Sequence, residues 1–140
     1  MNPKNQERRF PPEYAPELLR IAWGDYTSAA YLKTGVSTSG VRGENVAYLF
    51  QQAIEKALKA VLCASGLPVP LVHDLGVLVA KLPDTLDLKF GYELAGLDEY
   101  ATVRRYEEGR LTLTAEELDE IERLGRQILE WADHVAGDGR

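Results

Sequence analysis

The fold of this chain is decided by one stretch, Ala47-Tyr-Leu-Phe-Gln-Gln-Ala-Ile-Glu-Lys-Ala-Leu-Lys-Ala-Val-Leu62. Its apolar residues recur at i, i+3 and i+4, so on a helix of 3.6 residues per turn they share one face. That face comprises Val46, Ala47, Phe50, Ala53, Ile54, Ala57, Leu58 and Val61. An apolar stripe of this kind must be covered by other elements to be stable in water. The sequence therefore predicts a central helix with further helices packed around it.

Four other segments carry helical patterns, at 17–33, 74–82, 88–105 and 114–135. The central helix is predicted to end near Gly66, because Gly66 can cap its C-terminus and Pro68 prevents it from continuing. The last helix begins with a capping box, Thr114 followed three residues later by Glu117. No stretch shows the alternating pattern of a β-strand. We therefore predict an all-α fold, an up-and-down bundle of about five helices.

A chain of 140 residues is the usual size of one domain and can bury a sufficient core. Residues 1–16 are polar, contain four prolines and show no periodicity, so we expect a flexible N-terminal arm. The bundle is assigned to residues 17–136, with a short tail at 137–140. Within it, the Gly- and Ser-rich segment 34–43 is predicted to be a flexible connector before the central helix.

Composition excludes several classes of protein. The formal net charge of −6 argues against generic nucleic-acid binding, although a local basic patch remains compatible with it. A single cysteine, Cys63, permits no intramolecular disulfide and fits a reducing compartment. Neither a signal peptide nor an uncharged stretch of membrane-spanning length is present. We expect a cytoplasmic protein without a membrane segment.

The residue inventory also argues against a metal or a cofactor. The chain has only two histidines, His73 and His134, and Glu130 stands one residue too far from His134 to match the Glu-x-x-His spacing of di-iron bundles. No Gly-x-x-x-x-Gly-Lys phosphate loop is present. Cys63 has no histidine near it in sequence, so a packed thiol is favoured over a nucleophile. We predict no metal site, no cofactor and no catalytic residue.

The polar back of the central helix is the first candidate site. It carries Tyr48, Gln51, Gln52, Glu55, Lys56 and Lys59. One interpretation is a solvated face with a weak ion pair between Glu55 and Lys59. The other is a subunit interface or an anion site, because two amides beside a tyrosine offer many hydrogen bonds. The residues alone leave both interpretations open.

Two further segments have a structural and a functional interpretation. His73-Asp74 precedes a predicted helix, so either residue can cap it, while a histidine at such a start can also contact phosphate. The run 100–110 places arginines and tyrosines at the predicted end of the fourth helix, where the helix dipole favours cations. The same run can bind phosphate through Arg104 and Arg105 while Tyr106 stacks on a base. It is the strongest candidate for binding.

Several of these blocks together resemble the HEPN domains (higher eukaryote and prokaryote nucleotide-binding). Phe50-Gln-Gln-Ala-Ile-Glu-Lys-Ala-Leu-Lys-Ala60 is similar to the family helix Phe-x-x-Gln-Gln-Ala-x-Glu-Lys-x-x-Lys-Ala, here without the gap after phenylalanine. Further similarities are Gly66, His73-Asp74-Leu75, Tyr100 with Arg105-Tyr106, Leu113-Thr-Ala-Glu-Glu117 and Ile128-Leu-Glu-Trp131. Asp25 stands where the first helix of the family often has an aspartate. The resemblance covers about 17–135 and implies a helical bundle that dimerises.

Two positions depart from the family pattern. Glu107 stands where proline usually follows the Arg-Tyr pair. Neither His73 nor His134 follows an arginine at the spacing of four to six residues that marks the ribonuclease members. Because that motif supplies the acid/base histidine, its absence argues against autonomous RNA cleavage. The resemblance therefore implies a binding module of the non-ribonuclease branch.

Three functional hypotheses follow. The first is a nucleotide-binding or partner-binding module, acting with a minimal nucleotidyltransferase in a toxin-antitoxin-like pair. Its groove would be lined by Lys56, Lys59, His73, Arg104, Arg105 and Tyr106, and its homodimer or higher oligomer would use Tyr48, Gln51, Gln52, Glu55 and Tyr100. The second is an RNA-cleaving toxin, in which Arg105 and His73 meet in space. The third is a purely structural homo-oligomer.

Overall fold

A computed structural model of the chain describes residues 6–86, 88 and 113–137. These residues form four α-helices, α1 (Ala15–Lys33), α2 (Gly43–Ala64), α3 (Leu75–Ala80) and α4 (Ala115–Ala136). A 3₁₀ turn (Pro12–Tyr14) precedes α1, and two short strands, β1 (Glu7–Arg8) and β2 (Val69–Pro70), form the sheet of the described part. The all-α fold predicted from the sequence is confirmed. The helix predicted at 88–105 lies outside the described residues apart from residue 88.

The predicted apolar stripe of α2 forms the centre of the core. Phe50, Ile54 and Leu58 are fully buried between α1 and α4. The ring of Tyr26 on α1 meets Phe50 edge to face, with 5.3 Å between ring centroids. On α4, a Cβ placed at Gly125 would lie 3.6 Å from the Tyr26 ring and 3.8 Å from Ile54, so this position faces both residues at ordinary contact distance. Three long helices thus share one core.

The helix ends follow the local signals in the sequence. At the end of α2, Gly66 adopts a positive φ of 74°. The Gly66 and Leu67 amides donate to the Cys63 and Leu62 carbonyls, each at 3.0 Å, which is the Schellman arrangement. The predicted capping box of α4 is present, since Thr114 Oγ1 accepts from the Glu117 amide at 3.0 Å and the Glu117 carboxylate accepts from the Thr114 amide at 2.9 Å.

Part of the predicted N-terminal arm is ordered against the body. The antiparallel pairing of β1 with β2 places Glu7 opposite Pro70, and the Leu71 amide donates to the Gln6 carbonyl at 3.0 Å. Arg9 Nη1 donates to the carbonyl of Gly66 at 3.2 Å. Two-residue strands have no detectable periodicity, so the sequence did not indicate this sheet. The pairing ties down the segment that leads to α3.

None of the helices in the described residues is both long enough and apolar enough to span a bilayer.

Candidate functional site

The candidate site is organised by the carboxylate of Glu55, which lies inside the protein although it was predicted on the polar back of α2. Only 3% of Glu55 is exposed. One carboxylate oxygen, Oε2, accepts from Lys59 Nζ at 3.0 Å, and the other, Oε1, lies 3.0 Å from His73 Nδ1. Gln52 Nε2 approaches Oε1 at 3.5 Å. Glu55 therefore joins two turns of α2 to the segment that precedes α3, and the burial of its charge is compensated by these contacts.

The contact with Glu55 orients the imidazole of His73. An ionised carboxylate can only accept hydrogen bonds, so Nδ1 is the nitrogen that carries the proton in this contact. The His73 side chain is 79% exposed, and a ligand can therefore reach the ring. A carboxylate that binds one imidazole nitrogen fixes the tautomer and the direction of the other nitrogen. His73 is thus an accessible group with a defined orientation.

A second ion pair lies beside Glu55 and connects α2 to α1. Lys56 Nζ pairs with Asp25 Oδ2, and the two side chains are 29% and 26% exposed. We call Asp25, Glu55, Lys56, Lys59 and His73 the α2 cluster. Within it, both lysines and the histidine contact a carboxylate of the same chain. A ligand of opposite charge would have to compete with those internal partners.

The structure brings some of the predicted binding residues together. Lys59 and His73 share Glu55, and Lys56 is its immediate neighbour on α2. The remaining predicted binding residues, Arg104, Arg105 and Tyr106, and the predicted interface residue Tyr100 lie outside the described residues. Of the other predicted interface residues, Tyr48 and Gln52 are half-buried, whereas Gln51 and Glu55 are buried within the chain.

One interpretation of the sequence needs correction, and one pair of alternatives is decided by the structure. A solvated polar face is wrong for Gln51 and Glu55, because α2 is packed on more than one side and its buried arc is wider than its apolar stripe. At the start of α3, Asp74 is the cap, since its Oδ1 accepts from the Val77 amide at 3.1 Å. His73 instead contacts Glu55.

Sequence reasoning missed the role of two carboxylates. Asp25 was noted only as a family position, and Glu55 only as an interface residue or as the partner of Lys59 in a weak surface ion pair. Their partners are 31 and 18 residues away in sequence, Lys56 for Asp25 and His73 for Glu55. The one local signal was the spacing of four between Glu55 and Lys59, which is also common on solvated helices. No grouping of three or more His, Cys, Asp or Glu side chains suited to a metal occurs within residues 6–86, 88 and 113–137.

A comparable lysine, Lys33, lies two turns after Asp25 at the end of α1 and contacts α4 instead of the α2 cluster. Lys33, 23% exposed, pairs with Asp119 and Glu122 of α4. Burial acts to lower the pKa of the Lys33 ammonium, but its hydrogen bonds to Asp119 and Glu122 outweigh burial and raise that pKa. Lys33 and Lys56 are thus similar in exposure and pairing but lie in different places, which makes Lys33 a suitable control.

Known proteins share both the sequence pattern and the fold. The model of the HEPN domain matches residues 15–135, which is most of the chain. The crystal structure of TT1696 from Thermus thermophilus is 25% identical, and the similarity covers 87% of this chain and 98% of that one with a TM-score of 0.72. No curated protein matches the chain. The extent of the domain match means that the chain belongs to the HEPN domain family.

Proposed function

We propose that this HEPN module binds the phosphate of a nucleotide at the α2 cluster and acts with a minimal nucleotidyltransferase. The observation that carries the proposal is that Lys59 and His73 share Glu55, while Lys56, which pairs with Asp25, follows Glu55 directly on α2. Ammonium groups, and an imidazole ring that carries both protons, form charge-assisted hydrogen bonds with phosphate. Because each of these basic groups already contacts Asp25 or Glu55, a phosphate would have to compete with those carboxylates for them.

Access differs among the three basic residues. The exposed fractions of the side chains are 79% for His73, 29% for Lys56 and 15% for Lys59. A phosphate would therefore contact His73 and Lys56 first, and the less exposed Lys59 would lie deeper in the site. Arg104, Arg105 and Tyr106, outside the described residues, remain part of the proposal as phosphate-binding and base-stacking groups.

A nucleotide titration tests this proposal. We expect Lys56→Met, which keeps the aliphatic stem but removes the charge, to weaken ATP binding about tenfold, the size of one charged hydrogen bond. Lys33→Met is the matched control, because it removes a similarly buried and paired lysine from the α1–α4 side. Wild-type affinity in Lys56→Met, or the same loss in both variants, would refute phosphate binding at the α2 cluster.

A second candidate function is RNA cleavage, and the Glu55–His73 contact favours it. A carboxylate that orients an exposed imidazole is a common arrangement in general acid/base catalysis. The predicted partner of His73, Arg105, lies outside the described residues. Turnover of RNA that is lost in His73→Ala would promote this function, and an inert wild-type protein at high concentration would eliminate it.

The proposed assembly is a homodimer that also binds the nucleotidyltransferase. Tyr48 and Gln52, both half-buried, are the predicted seam residues available on the described surface, since Gln51 and Glu55 are buried. Sedimentation velocity at micromolar concentration should give a dimer, and a monomer would contradict the seam. If the neighbouring reading frame encodes a small nucleotidyltransferase, its co-expression with this chain should yield a complex.

A further inference from the structure

We infer that the two carboxylates of the α2 cluster act on a bound phosphate in opposite ways. Asp25 competes with the phosphate for Lys56 and lowers its affinity, whereas Glu55 positions Lys59 and His73 and raises it. The inference rests on the proposed phosphate site and assigns the regulation of that site to Asp25. It follows from the difference in burial and in the number of partners between the two carboxylates.

Glu55 cannot exchange with a ligand. It is 3% exposed, and both of its oxygens are engaged, one by Lys59 Nζ and one by His73 Nδ1, each at 3.0 Å. Displacing this carboxylate would leave a buried charge without compensation, which is strongly unfavourable. Glu55 therefore stays in place when a ligand arrives, and it holds the two basic groups at fixed positions.

Asp25 has the opposite properties. Its side chain is 26% exposed, and its ion pair among the described residues is with Lys56, which is 29% exposed. Ion pairs that water can reach are weak, because water and salt screen them and both side chains must be held in place. A phosphate approaching from solvent offers the same kind of acceptor oxygens as Asp25 and up to twice its charge. Exchange of Asp25 for phosphate on Lys56 Nζ is therefore feasible.

This exchange defines the class of ligand. A singly charged anion gains little by replacing a carboxylate that is already tethered beside the lysine. A terminal phosphate that carries two negative charges gains more from Lys56. The ligand is therefore a phosphate monoester or the terminal phosphate of a nucleotide, and Asp25 reduces occupation of the site by weaker anions.

The experiment compares variants by calorimetric titration with ATP and, separately, with inorganic triphosphate, at constant ionic strength. Asp25→Asn should bind both probes about two- to fivefold more tightly, the factor expected from releasing a solvent-accessible ion pair. Glu55→Gln should bind both more weakly. Glu120→Gln is the control, because it makes the same change in net charge at an exposed carboxylate paired with Arg123 on α4. Its affinity should stay within twofold of wild type.

The double variant Asp25→Asn, Lys56→Met isolates the competition between Asp25 and phosphate for Lys56. In a Lys56→Met background the gain from Asp25→Asn should disappear, since Asp25 then has no lysine to compete for. Weaker binding in Asp25→Asn, or a gain equal to that of Glu120→Gln, would overturn the inference while leaving the phosphate site intact. Unchanged binding in Lys56→Met alone would instead refute the site itself.

Two further readouts complete the test. Asp25→Asn should gain affinity equally for ATP and for triphosphate, because Asp25 competes only with the phosphate groups that the two probes share. A gain in affinity for ATP alone would contradict the inference. Asp25→Ser serves as a second variant if Asp25→Asn unfolds, and thermal denaturation of each variant establishes that it is folded.

Discussion

Replacement of Glu55 by glutamine should destabilise the protein far more than removal of His73. Glu55→Gln keeps the shape of the side chain but removes the charge that compensates Lys59, which is only 15% exposed. His73→Ala leaves Glu55 bound to Lys59 and removes a ring that is already 79% exposed. Glu55→Gln costs more stability than His73→Ala because Glu55 is the shared partner of Lys59 and His73.

The expected losses in the free energy of unfolding follow from how deeply each side chain is buried. Breaking a fully buried ion pair costs about 3 to 5 kcal/mol, and the partial exposure of Lys59 reduces this to about 2 to 3 kcal/mol for Glu55→Gln. An exposed pair is worth less than about 1 kcal/mol, so His73→Ala should cost no more than that. Lys59→Met should resemble Glu55→Gln, because it removes the permanently charged, mostly buried partner and leaves the Glu55 carboxylate with only the exposed imidazole of His73.

Urea unfolding followed by circular dichroism measures these differences as shifts in the midpoint at constant m-value. Glu130→Gln is the control, an exposed glutamate 3.5 Å from Arg126, and should change the free energy of unfolding by less than about 0.5 kcal/mol. If His73→Ala cost as much as Glu55→Gln, or Glu55→Gln as little as Glu130→Gln, Glu55 would not be the centre of the cluster.

Three other outcomes are expected. Thr114→Ala should lower the free energy of unfolding by about 1 kcal/mol in urea, because it removes the oxygen that caps α4. Gly125→Ala should raise that free energy by up to about 1 kcal/mol, since a Cβ there would lie 3.6 Å from Tyr26, an ordinary contact, and alanine favours helix. Burial raises the pKa of the Cys63 thiol, so at pH 8 a disulfide reagent should modify the native protein more slowly than the unfolded chain, and faster as pH rises. Rapid modification of native Cys63 would contradict its burial.

Features set by nearby residues could be predicted from the sequence. The core face of α2, the cap at Gly66 and the capping box at Thr114 each depend on residues within one or two helical turns. The helices of the described residues therefore begin and end within a few residues of the predicted limits. The helix α2 begins at Gly43, the last residue of the predicted connector.

Features set by distant residues could not be predicted in the same way. The helical wheel assigned Glu55 to the polar side of α2, yet the helix is surrounded widely enough to bury it. Its contact with His73 depends on how the segment after Gly66 returns along α2, which the β1–β2 pairing helps to fix. No spacing rule connects Asp25 to Lys56 across two helices.

The most direct measurement of phosphate binding at the α2 cluster is a titration of the ¹⁵N-labelled protein with ATP, followed by two-dimensional NMR. Amide shifts should saturate and be largest at Asp25 and at residues 52–59 and 71–75, where the α2 cluster and its neighbours lie, with Lys33 unaffected. Shifts confined to α4, or none at millimolar ATP, would contradict a phosphate site on the central helix.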